Sequence, residues 1–428
     1  MSFTLSRRQA LLGASAVTVA AASAKLASPA IAQNAPIKLG GLATLEGPFA
    51  TGGQDGYRCV TMELERRNWT VGGRRIEFIR ESSNAQADVA LARARKLIEQ
   101  DNVDMILGPL SGAEGIALRD YSRTLTGKSI INGSSGAADT TLRNPSPNFF
   151  RFNTDGTQWM AGLGNHVRRT MNVSEVAIVA GDYAFPYAQV FGFNIEFCRA
   201  GGKVTHYWAP LGTTDFSAQI AQINRSSAGA LVVVHGGTDG LAFMTQYAQA
   251  GGNLPLIGGS IMADATMLSA RGPHRRVMVG MTSGGPIADV NDDPMWNDFV
   301  ARYRARWLNE GGFQSPSIHG VNYTTNLYGI IAGLEAVSGD LSGNQAAFQR
   351  AMAAAKFKNP MGADVSLDHN RQAVSDIFLN KIEERDGRAQ TVAFARARQI
   401  NQTLGVPEAQ YLALGAPSRD NAGCVASS

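Results

Sequence analysis

Small hydroxyl and glycine residues recur directly after short apolar runs in this chain. Ser111 and Gly112 follow the run at 103–107, and Ser134, Ser135 and Gly136 follow that at 129–131. Thr238 follows 230–234, and Ser260 follows 256–257. Hydroxyls both donate and accept hydrogen bonds, and glycine lets backbone N–H groups come close to a bound molecule. This is chemistry for holding a small polar group such as a carboxylate or an amide. A helix starting after 130–136 would add the partial positive charge of its N-terminus. Serine also caps helices routinely, so any one of these stretches is equally explained by capping; recurrence at several exits argues for a site.

Catalytic furniture is missing. There is no G-x-S-x-G, G-x-G-x-x-G, phosphate loop or H-E-x-x-H. His166, His206, His235, His274, His319 and His369 are scattered without ligand spacing. Only His235 stands near the hydroxyl exits, beside Thr238, where a loop hydrogen bond is the expected role. No enzyme activity, metal or cofactor is expected. Cys59, Cys198 and Cys424 form no C-x-x-C. In an oxidising compartment they suggest one bridge and one buried thiol. Cys198–Cys424, pinning the C-terminal tail to a helix, is the expected pair, and a bridge to Cys59 is the alternative.

The chain has 428 residues, 44% apolar and 17% charged, enough for two or three globular domains. Ser6-Arg7-Arg8-Gln9 opens a twin-arginine pattern, followed by an alanine-rich stretch and Ala30-Ile31-Ala32 before Gln33. Residues 1–32 therefore read as a cleaved export leader, with the twin-arginine (Tat) route favoured over Sec. Loss of Arg7, Arg8 and Lys25 with that leader takes the formal charge from +4 to +1. Such a charge gives no electrostatic case for nucleic acid or an anionic membrane. No uncharged apolar run is long enough to span a bilayer.

The elements that must position these residues alternate. Strands are expected at 37–42, 75–80, 103–107, 129–131, 176–180, 230–234 and 256–257, with helices at about 55–67, 90–100, 187–200, 216–225 and 239–250. Serial βαβ patterning of this kind, occurring twice, implies an α/β fold with two doubly wound parallel-sheet lobes. The last third carries long helical patterns at 294–310 and 317–337, then a strand pair at 364–367 and 375–382. In open parallel sheets, ligands sit beyond the carboxyl ends of the strands, where the hydroxyl exits fall.

Several ordered stretches carry a resemblance: 37–48 with its Glu-Gly-Pro loop, 92–109 (ARARKLIEQDNVDMILGP), the serine-rich exits, Asp215-Phe216-Ser217, and Tyr247 to Gly252. The chain resembles the periplasmic solute-binding proteins of branched-chain amino acid and amide ABC transporters, which have the type I two-lobed fold. The resemblance implies lobe 1 at 36–155 and 286–360, lobe 2 at 156–285 and 361–428, and three hinge crossovers with the ligand cleft between the lobes. It also implies a monomer that closes on a small molecule and delivers it to a membrane permease. A sensor of the same fold is the alternative role, and a secreted enzyme a more distant one.

The resemblance places Ser111, Gly112, Ser134, Ser135 and Gly136 on the lobe 1 wall that receives a ligand head group. Tyr183, Phe185, Thr238 and Ser260 come from lobe 2, and the stretch Asp182 to Pro186 is similar to that of the amide and urea branch. Amino acid binders of this family carry an acidic residue where this chain has Ser260. Either Glu46 or Asp239 then pairs with a ligand ammonium, or the ligand has no amine.

Overall fold

The computed structural model of the protein describes residues 35–424, so the export leader expected at 1–32 lies outside the described residues. The first sheet is built early in the chain. Strand β1 (Ile37–Thr44), helix α1 (Ala50–Arg66), the short β2 (Thr70–Val71), β3 (Arg74–Ser83) and helix α2 (Ala87–Arg95) lead to β4 (Met105–Leu107). Helix α3 (Gly112–Ser122), β5 (Ser129–Ile131) and β6 (Phe149–Phe150) complete it. The order is β2-β3-β1-β4-β5-β6, parallel except for the β2–β3 hairpin.

The second sheet starts with β7 (Glu175–Gly181), α4 (Ala184–Arg199) and β8 (Lys203–Ala209). It continues through α5 (Ser217–Ile223), β9 (Ala230–Val234), α6 (Gly237–Gln249), β10 (Leu256–Gly258), the short helices α7 (Ala265–Leu268) and α8 (His274–Met278), and β11 (Thr282–Gly285). The chain then leaves for α9 (Pro294–Trp307), α10 (Ile318–Ala336) and α11 (Ala346–Ala354). It returns with β12 (Phe357–Lys358), β13 (Asp364–Leu367), β14 (Ala373–Arg385) and β15 (Arg388–Ile400), and ends in α12 (Glu408–Ala413). The sheet order is β12-β13-β14-β11-β10-β9-β7-β8, with β15 on β14. Strands β7 to β11 are parallel, while β14 enters antiparallel to β11.

Strands covered on both faces read as continuous apolar runs, and alternate residues serve opposite layers. In β4, Met105 and Leu107 join the core shared with α1 and α10, while Ile106 joins that beneath α2 and α3. In β9, Leu231 and Val233 meet α5 and α6, and Ala230, Val232 and Val234 meet Phe193 and Phe197 of α4. The sandwiched strands hold their positions because each slip by one residue would exchange the two layers.

The expected strand pair near 364–382 is present as β13 and β14, whose register pairs Leu367 with Ala373. The long hairpin strand β15 was not expected from the sequence. Its outer residues Arg396 and Arg398 break the apolar pattern, and it is held instead by its ladder to β14. A correction concerns the segment after 130–136. No α-helix starts there, only the single turn Ala138–Thr140. Thr140, Thr141 and Pro145 disfavour a helix. Arg151 takes up Ala137 O and Thr141 Oγ1, each at 2.7 Å. Cys198 and Cys424 form the disulfide, and Cys59 is a buried free thiol.

Candidate ligand-binding site

The loops leaving β1, β4, β5, β7, β9 and β10 converge at the carboxyl ends of the two sheets. Leu110 and Ser111 lead into α3, so the backbone N–H groups of its first turn open there; Ser111 is its N-cap. Ser111 N donates to Glu114 Oε2 at 2.9 Å, and its hydroxyl donates to Ala85 O at 3.3 Å. These bonds fix the helix entry. From the β5 loop, Ser134 N and Ser135 N both donate to Pro109 O, at 2.9 and 3.3 Å, which clamps the two lobe 1 loops together.

Ser134 Oγ lies 2.9 Å from His319 Nδ1 and accepts from Asn322 Nδ2 at 3.1 Å. With Asn322 donating to the hydroxyl, the Ser134–His319 bond runs in either direction according to the imidazole tautomer. Burial lowers the His319 pKa to about 4, so the ring is neutral at ordinary pH. On α10, Asn326 continues this polar stripe, donating to Gly133 O at 3.0 Å and Asn153 Oδ1 at 2.7 Å.

The aromatic side faces this polar wall. Trp159 and Phe185 meet edge to face at 5.3 Å between centroids, Tyr183 lies 6.5 Å from Phe185, and Phe49 lies 6.4 Å from Tyr183. Two glycines make the approach possible. A Cβ on Gly136 would lie 2.8 Å from the Phe185 ring, and one on Gly112 would lie 3.0 Å from Phe185 Cβ. Burial and the neighbouring Asp239 keep the Tyr183 phenol protonated.

Two adjoining cavities result. One, about 20 Å³, is lined by Ser111, Gly112, Ser134 and Gly136 with Trp159, Tyr183, Phe185 and His319 among others. The other, about 60 Å³, is lined by Thr51, Thr238 and Thr266 among others; Phe49, Ile261 and His319 border both. No Asp, Glu, Lys or Arg lines either cavity.

The model of the periplasmic binding protein family matches residues 36–388. The chain belongs to that family. Its members bind small molecules outside the cytoplasm, and its neighbours among solved structures are binding proteins rather than enzymes. An ABC transporter substrate-binding protein from Sphaerobacter thermophilus is 27% identical, over 85% of this chain and 98% of that one, with a TM-score of 0.76. A solute-binding protein of an ABC transporter from Rhodopseudomonas palustris BisB5, in complex with 3,4-dihydroxybenzoic acid, is 23% identical over 86% and 98%, with a TM-score of 0.78. A leucine-binding protein from Thermotoga maritima shares the fold at 15% identity over 83% and 98%, with a TM-score of 0.73. Comparison with curated protein sequences gives no match. Among the described residues no helix is long and apolar enough to cross a membrane, and no cluster of three metal-ligating side chains occurs.

In this periplasmic binding protein the sequence-chosen residues divide. Ser111, Gly112, Ser134, Gly136, Tyr183 and Phe185 meet at the first cavity and Thr238 at the second. Ser135 points away, its hydroxyl donating to Asn132 Oδ1 at 2.7 Å beneath Gly115. Ser260 is buried and accepts from Gln189 Nε2 at 2.9 Å. Asp239 accepts from Gly212 N at 2.7 Å and from the Thr238 hydroxyl and lies near Tyr183, while Glu46 is exposed; neither is in the lining. His235 lies against Phe216 and Phe243 inside the second lobe, where burial drops its pKa to about 3.

Sequence reasoning missed Phe49, Trp159, Ile261 and His319. For His319 a signal existed: His319, Asn322 and Asn326 recur at i, i+3 and i+7, a polar stripe on a largely apolar helix. Trp159 carried none, because it arrives from the crossover between the sheets.

Proposed function

We propose that this protein captures a small aromatic carboxylate without an amine, closes its two lobes on it, and delivers it to the permease of an ABC transporter. The carrying observation is the lining: an aromatic wall opposite hydroxyls, a neutral imidazole and a helix N-terminus, with no acidic side chain. The first turn of α3 and the one donor that the Ser134–His319 pair leaves free, the hydroxyl or Nε2–H according to tautomer, suit a carboxylate. Trp159, Tyr183 and Phe185 suit a flat ring. An ammonium group would be left without a charged partner in a dry cleft, a costly arrangement. The aromatic acid held by the Rhodopseudomonas palustris protein supports this class.

Lobe 1 is taken as 36–155 with 286–360, and lobe 2 as 156–285 with 361–428. An apolar cavity of roughly 150 Å³ admits benzene. Each cavity here is smaller, about 20 and 60 Å³, so the lobes have to part from this arrangement to admit an aromatic acid, which supports loading by hinge opening. Export by the twin-arginine leader is part of the same reading.

A thermal-shift panel on residues 33–428, refolded to strip carried-over ligand, tests it with aromatic acids, aliphatic amino acids, short amides and urea. At about 100 times its Kd, a true ligand adds about 2.7 kcal/mol. Benzoate-like acids should shift the transition and leucine should not. A shift by leucine alone rejects the amine-free assignment.

A further inference from the structure

A third cavity lies apart from the cleft, and its chemistry is the reverse of the cleft's. About 280 Å³ in volume, it is lined by Arg271, Arg275, Arg304 and Arg388 together with Asp289, Gln314 and Ser315, among others. Its walls come from different parts of the fold. Arg304 belongs to α9, which is tied to α1 by the Arg302–Glu63 and Arg306–Glu65 ion pairs. Arg271 and Arg275 come from the α7–α8 segment, and Arg388 opens β15 of the second sheet.

None of the four guanidinium groups has a carboxylate within ion-pair distance among the described residues, whereas the partly buried Arg302, Arg306 and Arg396 do. They are nevertheless held in place. Arg304 Nε donates to Gln314 O, Arg388 Nη1 donates to Gln314 Oε1 at 3.1 Å, and Arg275 Nη2 donates to Gly387 O at 3.3 Å. Each of these three keeps further N–H donors free, because a guanidinium has five. Arg271 is exposed. The only acid in the lining, Asp289, spends Oδ2 on Thr391 N and Oγ1, both at 2.9 Å. The Ser315 hydroxyl faces the same carboxylate and, with Thr391, offsets part of the rise that burial gives its pKa. Burial first, and then the neighbouring charge of Arg388, lower the Arg304 pKa, while the Asp289 carboxylate raises it in part.

Three held guanidinium groups and the exposed Arg271, set against one carboxylate around one cavity, form an incomplete arrangement. Planar guanidinium forks match oxyanions in two-point fashion. We propose that this cavity is a second, anion-binding site that takes a small oxyanion carrying at least two negative charges, separate from the ligand cleft.

Inorganic phosphate, mostly a dianion at about pH 7.5, is the probe. It is titrated calorimetrically into the purified protein at constant ionic strength, with sodium chloride as the matched control so that screening is held fixed. One saturable site per chain is expected. Arg304→Gln and Arg388→Gln should each weaken it at least about tenfold, the loss of one charge-assisted contact. Arg271→Gln makes no protein contact to lose and so tests the charge without risk to folding; it should weaken binding several-fold. Absence of saturable binding up to about 10 mM phosphate overturns the site, as does binding that all three substitutions leave unchanged.

Discussion

Ser134 and His319, separated by 185 residues, share a hydrogen bond of 2.9 Å in the floor of the cleft. Asn322 completes the set from the next turn of the same helix, so a loop of the first sheet is keyed to α10. Removing the hydroxyl leaves two buried polar partners unsatisfied, which costs about 1–3 kcal/mol. Ser134→Val should therefore lower ligand affinity at least about tenfold with the fold intact, as read by calorimetry and circular dichroism. Its neighbour provides the contrast. Ser135→Ala, losing only the bond to Asn132, should leave affinity unchanged and cost about 1 kcal/mol of stability. Equal effects of the two on affinity would remove Ser134 from the site.

Gly136→Ala introduces a methyl 2.8 Å from the Phe185 ring. The ring must shift into the cavity, at a packing cost of about 1–3 kcal/mol. Affinity for the aromatic ligand should fall with it, and a Gly136→Ala, Phe185→Leu double variant should recover part of the loss. Failure of the second change to restore any binding would mean that the ring does not wall the cleft.

The pH dependence follows from His319. Its pKa of about 4 in the folded protein lies below the ordinary 6.5. The unfolded chain thus gains protons first on acidification, and the stability present above about pH 6.5 is lost as pH falls towards about 4. The loss is about 3 kcal/mol. His319→Asn lacks it, so the stability gap between the two proteins in urea should narrow by about that amount from pH 7 to pH 4. A constant gap would contradict a buried neutral imidazole. Because the ring stays neutral, affinity should be flat between about pH 6 and pH 8.

Reducing the Cys198–Cys424 bridge frees the C-terminal tail and opens a loop with a sequence separation of 226 residues. Closing so long a loop restricts the unfolded chain, and its loss should cost about 2–4 kcal/mol. The bridge joins the tail to α4 away from the cleft, beside Phe191 and Tyr411. Dithiothreitol should therefore lower the melting temperature while ligand affinity stays the same. A fall in affinity without a fall in melting temperature would assign the bridge a role in closure instead.

The layered strands were legible because a strand buried on both faces must be written as an unbroken apolar run, as 230–234 is, whatever surrounds it. The hairpin strand β15 was not, since its arginines read as surface and its ladder to β14 depends on a partner elsewhere in the chain. Among the site residues, Ser111 and Ser134 follow from their place at strand exits. Ser135 and Ser260 occupy equivalent exits, yet one turns beneath α3 and the other serves Gln189. Which hydroxyl faces the cleft depends on the direction of a single bond within a loop, and periodicity does not reach that.

By itself, the sequence determined the alternation of strands and helices, the two-lobed α/β class and the ring of hydroxyls and glycines at the strand ends, because burial and backbone freedom act on neighbours in the chain. Only the tertiary structure decided that His319 and Trp159 join the cavity lining, that Glu46 and Asp239 are not part of that lining, and that four arginines gather around a separate cavity. Those outcomes turn on residues brought together across long loops, where contact depends on how whole layers pack.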